Sequence, residues 1–531
     1  MSEVINNQVL VNSPAFDHTK LRSYLPAILA ITGSILLVLL RIQMGGQHFM
    51  SDGALMMLAL ACYLTAAVFH LTNLYAPSNM AQRVGLWLAT TGVFFNLASW
   101  GVRWINARDL EVAAFLKNGG EMPWFFRYIP FANLYDLSLA FAFGAGITTL
   151  LIAHRKSFRF LGALTLPLAA IILVLARFIG DEIINLPPIL DSYWRPIHVG
   201  TASLSYGVAL VCFAVAVVYL LKDGLKTEAM AIWSSIFAVS VLATVSKFSV
   251  FSAATYRAST VMISGTRKMP IPLRIDIPWV GPLLLISGLL LIGVIAAFGI
   301  YITKSNQQAK TWGHRMLNLS LVTQIIAIAT LVSQVKSLTN LVSRIDKGQY
   351  LAFGKWLFEQ EGMKADQTSQ LSAQQLYQAA EGFVQQKGAL LSLSLNANPV
   401  ELSALITAAA AVFFVILFSF KTDKIREALP SLETLDGLMY KTASVTFALL
   451  AMLLITGAVW ANESWGAYWS WDSKEVGALV AWLTYAAYLH TRIARGWTGR
   501  RSAYFAIVGF LLVIFTYLGV SFLLPGLHSY A

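Results

Sequence analysis

Charge is scarce in this 531-residue chain. Asp, Glu, Lys and Arg make up 12% of it, 57% is hydrophobic, and mean hydropathy is +0.65. That scarcity argues against a soluble protein of this length. Cysteine is nearly missing as well. Cys62 and Cys212 lie far apart in separate apolar runs, and no Cys-x-x-Cys occurs. A thiol-redox carrier and a zinc site are disfavoured on that ground. No internal repeat or low-complexity tract is present. A cleavable leader is not evident: residues 1–22 are polar, and Leu25–Leu40 lacks a small-residue cleavage site after it, so it reads as a first spanning helix.

Long apolar runs fill the space that charge leaves. Stretches of about 20 apolar residues recur from end to end, the pattern of an all-α, polytopic membrane bundle. About thirteen spans are expected, at 24–42, 53–75, 83–102, 131–153, 158–179, 197–221, 231–250, 279–302, 315–335, 402–420, 441–461, 475–492 and 502–524. The net charge of +12 does not call for nucleic acid, because much of it sits in short loops. The basic segments 154–159, 222–226, 304–315, 421–426 and 492–501 fall on one side, as do Lys20 and Arg22. That side reads as cytoplasmic. Residues 104–130, 180–196 and 465–475 and the C-terminus are then outside. Two features resist this layout: Arg257, Arg267, Lys268 and Arg274 fall outside, and Lys247 falls inside a span. The sizeable soluble segment, 337–401, reads as small and helical. Its Ser372-Ala373-Gln374-Gln375 has the form of a capping box.

Aromatics are dense at one place. Trp465-Gly466-Ala467-Tyr468-Trp469-Ser470-Trp471-Asp472-Ser473-Lys474-Glu475 packs three tryptophans between two apolar segments. Indoles anchor membrane surfaces, but anchoring does not call for three within seven residues. A flat aromatic platform on the aqueous side suits a large, flat, amphipathic ligand such as a porphyrin. Eight histidines accompany it. His198 opens one span and His528 follows the last, both at the face that carries the tryptophans. They form a candidate bis-imidazole pair for haem iron. His70 and His490 share the opposite depth and form a second candidate pair. An isolated histidine near a helix end is also a common interfacial residue, and that reading stands beside the first for all four. His18, His154 and His314 read as tail or loop residues, with His48 a spare for the outer pair.

At these residues the chain resembles the CcsA/ResC-type subunits of system II cytochrome c synthases, within the broader "WWD" haem-handling superfamily that includes CcmC and CcmF. The resemblance rests on Thr456 to Glu463, Trp465 to Glu475, Tyr488-Leu489-His490-Thr491-Arg492 and Gly526-Leu527-His528-Ser529-Tyr530, in that order. A second stretch covers about 125–221, with Pro130-Phe131-Ala132-Asn133-Leu134-Tyr135-Asp136 and Leu190 to Tyr206. Two departures occur: Asp472-Ser473-Lys474-Glu475 replaces an Asp-Pro-Lys-Glu, and Asp136 stands where a Glu is expected. A block at about 225–430, with four spans, separates the family-like parts 1–224 and 431–531. Four is even, so the block preserves their topology.

The resemblance implies a haem lyase subunit in the cytoplasmic membrane. Haem b would be its substrate, and a CcsB/ResB-type subunit and an apocytochrome c bearing Cys-x-x-Cys-His its partners. His198 and His528 would be external axial ligands, and Trp465, Gly466, Trp469, Trp471 and Asp472 would hold the ring. His490 would belong to an inner haem site, with His70 inferred as its partner. Asp472 and Lys474 either contact propionates or shape the loop. Two alternatives stay open: a CcmC-type haem exporter or chaperone, and a non-catalytic subunit of a respiratory assembly complex.

Overall fold

The computed structural model describes residues 18–46, 49–118, 125–180, 183, 188–264, 267–394 and 399–520. Its helices run in chain order: α1 (His18–Met44), α2 (Asp52–Tyr75), α3 (Asn79–Asn118), α4 (Leu134–Ile152), α5 (Gly162–Ile179), α6 (Trp194–Lys222), α7 (Thr227–Thr244) and α8 (Ser249–Ala253). After a hairpin, β1 (Arg257–Ser264) and β2 (Arg267–Asp276), come α9 (Val280–Lys304), α10 (Gln307–Ser337), α11 (Tyr350–Gln360), α12 (Ala365–Thr368) and α13 (Ala373–Lys387). The strand β3 (Leu391–Leu393) leads to α14 (Pro399–Ser419), α15 (Thr422–Ala428), α16 (Leu432–Trp465), α17 (Ser473–Arg495) and α18 (Arg500–Ile514), which runs on into a π-turn at Phe515–Gly519.

The chain is an integral membrane helical protein. Among the described residues, eleven helices are long and apolar enough to cross a bilayer. The two other expected spans, 83–102 and 475–492, lie within α3 and α17. Both stretches are interrupted by polar side chains: Thr90, Thr91, Asn96 and Ser99 in the first, and Glu475, Thr484, Thr491 and Arg492 in the second.

Three apolar cores organise the molecule. The largest takes in α2 to α6 with α16, α17 and α18. α6 is its central post, with nearly every residue from Ala202 to Leu221 buried. A second core gathers α7, α9, α10 and α14. A third, outside the apolar spans, packs β2 and β3 against α11 and α13.

The hairpin was not legible in the sequence and accounts for two of the four cations that resist the layout there, Arg257 and Arg274. β1 pairs with β2 and with β3 in an antiparallel sheet of order β2-β1-β3. Arg257 meets Asp276 at 2.9 Å and Arg274 meets Glu401 at 3.5 Å, so both cations are ion-paired at this small unit. The segment 337–401 is therefore helical with a strand added, joined through β3 to a hairpin that ends at Asp276, in a sheet that local periodicity does not reveal. Its capping box forms as expected, with Ser372 and Gln375 exchanging bonds. Lys247 lies beyond the end of α7 at Thr244, in a 3-10 turn, so the span drawn to residue 250 runs too far.

α4 and α6 cross with their backbones in contact. A Cβ on Gly207 would sit 2.3 Å from the carbonyl carbon of Gly144. Small residues let membrane helices approach this closely. Gly207→Ala should force them apart and cost about 1–3 kcal/mol. The expected result is a lower melting temperature in detergent, and an unchanged one would show that the crossing yields without strain.

Candidate functional site

A cavity opens where α4, α6, α16 and α17 meet the π-turn. Its walls include Phe131, His198, Tyr206, Trp460, Trp465, Tyr468, Trp469, Lys474 and Tyr517. His198 and the tryptophan segment, more than 250 residues apart in sequence, thus share one hollow.

Three residues of α16 at helical spacing hold His198. The carbonyl of Leu453 accepts a hydrogen bond from Nδ1 at 3.0 Å. A carbonyl can only accept, so Nδ1 carries a proton, which in the neutral ring leaves the lone pair on Nε2, the state a metal requires. One turn on, Gly457 gives the ring its room: a Cβ there would lie 2.7 Å from Cε1. At the next turn the Trp460 ring faces it, with centroids 5.7 Å apart.

The aromatic loop is fixed at both ends by local chemistry. α16 stops at Gly466, whose φ of +76° is the left-handed conformation that glycine adopts cheaply. α17 starts with a capping box between Asp472 and Glu475. The Glu475 carboxylate also accepts from Ser470 N at 2.9 Å and Ser470 Oγ at 3.1 Å. Asp472 thus shapes the loop, and its carboxylate accepts from Lys474 N. Trp465 and Trp469 line the cavity. Trp471 is 72% exposed, set edge-on to Trp469 with centroids 5.8 Å apart. The three tryptophans are therefore not one platform.

Lys474, just outside the expected span 475–492, reaches the cavity from the first turn of α17. Burial pushes its amine down to about 8, with Asp472 opposing the shift. At the outer rim, Ser192 ties the two histidine-bearing and tryptophan-bearing helices together. Its hydroxyl donates to Glu463 at 2.5 Å and accepts from Trp194 N at 3.1 Å, at the start of α6.

A second hollow shares Ala132 with the first and is lined by Arg103, Glu111, Arg127, Asp136, Asp191 and Arg195. Its floor is ionic. Arg103 is 2% exposed, bonds Asp136 through Nε, reaches Asp52 at 3.3 Å and stacks on Tyr135. Asp136 also forms the capping box of α4 with Asn133. The segment Pro130–Asp136 is thus the support under one wall of the cavity.

None of the other described histidines lines this cavity. His528 lies outside the described residues, as does His48. The His70 ring is buried between Gly85 and Gly162, where added Cβ atoms would come within 3.2 and 2.5 Å of it. His490 is exposed on α17, whose packing neighbours are α16 and α18. The fold does not bring these two together. His154 bonds Leu151 O at 2.6 Å, and His314 lies 3.6 Å from Glu228, packed on Phe298.

Sequence reading missed Trp460, Tyr206 and Tyr517 in the cavity wall and Arg103 beneath it. Trp460 sits inside the segment that carried the resemblance, but nothing local marks which of several tryptophans faces a histidine on another helix. Arg103, at the end of the span drawn over 83–102, was the readable signal for a buried ion cluster.

The family described as Cytochrome C assembly protein matches this chain over residues 131–342 and 399–528. The match runs through α7 to α10, which the sequence set apart as an added block, and between its two parts omits 343–398. Three relatives are each called cytochrome c biogenesis protein CcsA. One, from Guillardia theta, is 61% identical over 99 residues, 19% of this chain and 33% of that protein. Another, from Prochlorococcus marinus subsp. pastoris, is 48% identical over 149 residues, 27% and 47%. A third, from a Synechococcus species, is 58% identical over 98 residues, 18% and 32%. The chain thus spans a third to about half of the length of these relatives.

Proposed function

The chain belongs to the cytochrome C assembly protein family, and from that premise we propose that it is the haem-handling subunit of a cytochrome c synthase. Haem is its substrate. The observation that carries the reading is His198, whose proton is held on Nδ1 by Leu453 in a hollow walled by Trp465 and Trp469. An imidazole lone pair among aromatic faces is what a haem iron and its macrocycle need together.

In this reading His198 and His528 ligate the iron at the outer face of the cytoplasmic membrane, and Trp465 and Trp469 hold the ring. Trp471, exposed on the loop, meets the incoming apocytochrome. The cysteines of its Cys-x-x-Cys-His add across the two haem vinyl groups, each thiol sulfur and hydrogen going to the two vinyl carbons, and its histidine replaces one axial ligand. The chain supplies orientation and a defined ligation state, not a nucleophile. A CcsB/ResB-type subunit is its partner. The inner resting site centres on His490, reachable by haem in the bilayer. His70, enclosed by Gly85 and Gly162 and not brought to His490, is left out of that site.

The test is attachment. The chain, co-expressed with a CcsB-type subunit and given haem and an apocytochrome, should yield haem that stays on the cytochrome after denaturation. Bound haem that never becomes covalent would make the chain an exporter or chaperone instead.

Lys474 adds a pH dependence. Its amine is charged below about 8, and pairing with a haem propionate raises that value in the complex. The complex then holds more protons than the free protein above pH 8. Haem affinity should be flat below about 8 and fall as pH rises through it. Lys474→Met should flatten the profile, and an unaltered profile would remove Lys474 from the contact.

A further inference from the structure

Two buried hydrogen-bond donors on α16, one in the cavity wall and one a turn beyond it, have no acceptor among the described residues. Trp460 is 7% exposed and Ser464 is 6% exposed. Neither the indole Nε1–H nor the Ser464 hydroxyl has a partner there. They lie one helical turn apart on α16, and positions four apart share a helix face. Trp460 lines the hollow beside His198.

Leaving a buried donor unmatched costs about as much as a lost hydrogen bond. Such groups are normally matched by something the isolated chain lacks. Within the haem-handling reading, on which this inference rests, the candidates narrow sharply. A haem is apolar over almost all of its surface, and its periphery offers acceptors only on the two propionate carboxylates. The structure supplies Trp460 in the cavity wall, Ser464 one turn further along the same helix, and a cation, Lys474, in the wall that Trp460 shares.

We propose that Trp460 Nε1–H and Ser464 Oγ–H together bind one propionate of the haem, making α16 the strip that fixes both the iron ligand and the rotation of the macrocycle. Leu453 and Gly457 set the histidine, and the next two turns of the same helix read a carboxylate. The ring is thereby held at iron and rim from one rigid element, so its vinyl groups face a constant direction. Orientation of this kind is what a two-thioether attachment demands.

The experiment is an absorption titration of the detergent-purified chain with haem and with haem dimethyl ester, which lacks the carboxylate charge. Trp460→Phe keeps the aromatic face and removes the donor. Ser464→Ala removes the second donor with little change in volume. A hydrogen bond to a charged group is worth enough that each variant should bind haem about 10- to 100-fold more weakly. The ester keeps only weaker, uncharged acceptors, so it should bind less tightly than haem and lose less than haem does in each variant. A retained low-spin spectrum at saturation would show that His198 and the fold are intact. Equal losses for haem and ester would overturn the proposal, assigning both residues to packing. Unchanged haem affinity would overturn it as well. A wild-type chain that binds neither porphyrin would instead overturn the haem-handling reading itself, which separates the two failures.

Discussion

His198→Ala should abolish the low-spin haem signature of the purified chain. The substitution removes Nε2, the lone pair that the Leu453 carbonyl holds ready by taking the Nδ1 proton. It also empties the space that Gly457 leaves open and that faces Trp460. Outer-shell partners of metal-bound histidines are worth about 10- to 100-fold in affinity, and loss of the ligand itself should cost at least that. The void should admit free imidazole, so adding imidazole should restore a low-spin spectrum in this variant and in no variant that keeps the ring. Absorption spectra of wild type and His198→Ala, with and without imidazole, make the check. An unaltered wild-type spectrum in the variant would move the haem site away from this cavity.

Arg103→Met should be the most destabilising single change outside the cavity. Arg103 sits between Asp52 and Asp136, with Tyr135 under its guanidinium, and all four side chains are buried. Removing the cation leaves two carboxylates facing each other in a low-dielectric setting. Breaking a buried ion pair from one side costs about 3–5 kcal/mol, because the remaining charge is uncompensated. The melting temperature in detergent should fall steeply. Haem binding should fall with it, since Asp136 caps α4 and Ser138, half a turn on, holds Tyr517 in the cavity wall at 2.5 Å. The triple variant Asp52→Asn, Arg103→Met, Asp136→Asn removes the stranded charges and should recover part of the loss. If Arg103→Met alone melts like wild type, the cluster is hydrated rather than sealed.

Both predictions rest on contacts between distant parts of the chain, and that division runs through the whole comparison of sequence with structure. The capping boxes at Ser372 and Asp472 depend on residues three apart, so their patterns can be read along the chain. Gly466 ends α16 for a reason internal to one residue's φ. The hairpin β1–β2 escaped notice because its apolar residues contact β3 and α11 far downstream, and its charges look out of place until Asp276 and Glu401 are beside them. His70 and His490 show the limit of depth arguments. Equal depth in a bundle says nothing about which face of each helix looks at the other, and here one ring is enclosed while the other is exposed.

By itself, the sequence determined that the chain crosses a membrane many times as helices, since backbone polar groups in lipid must be satisfied within each span. It also determined the family, because the tryptophan segment and the histidines around it are written in contiguous residues. Tertiary structure alone decided which aromatics face His198, which nitrogen of that ring carries the proton, and which charges lie sealed under Pro130–Asp136. The physical reason is range. Periodicity, caps and motifs act over a few residues, whereas the cavity is made where α4, α6, α16 and α17 meet the π-turn after α18, and only their packing sets which side chains share it.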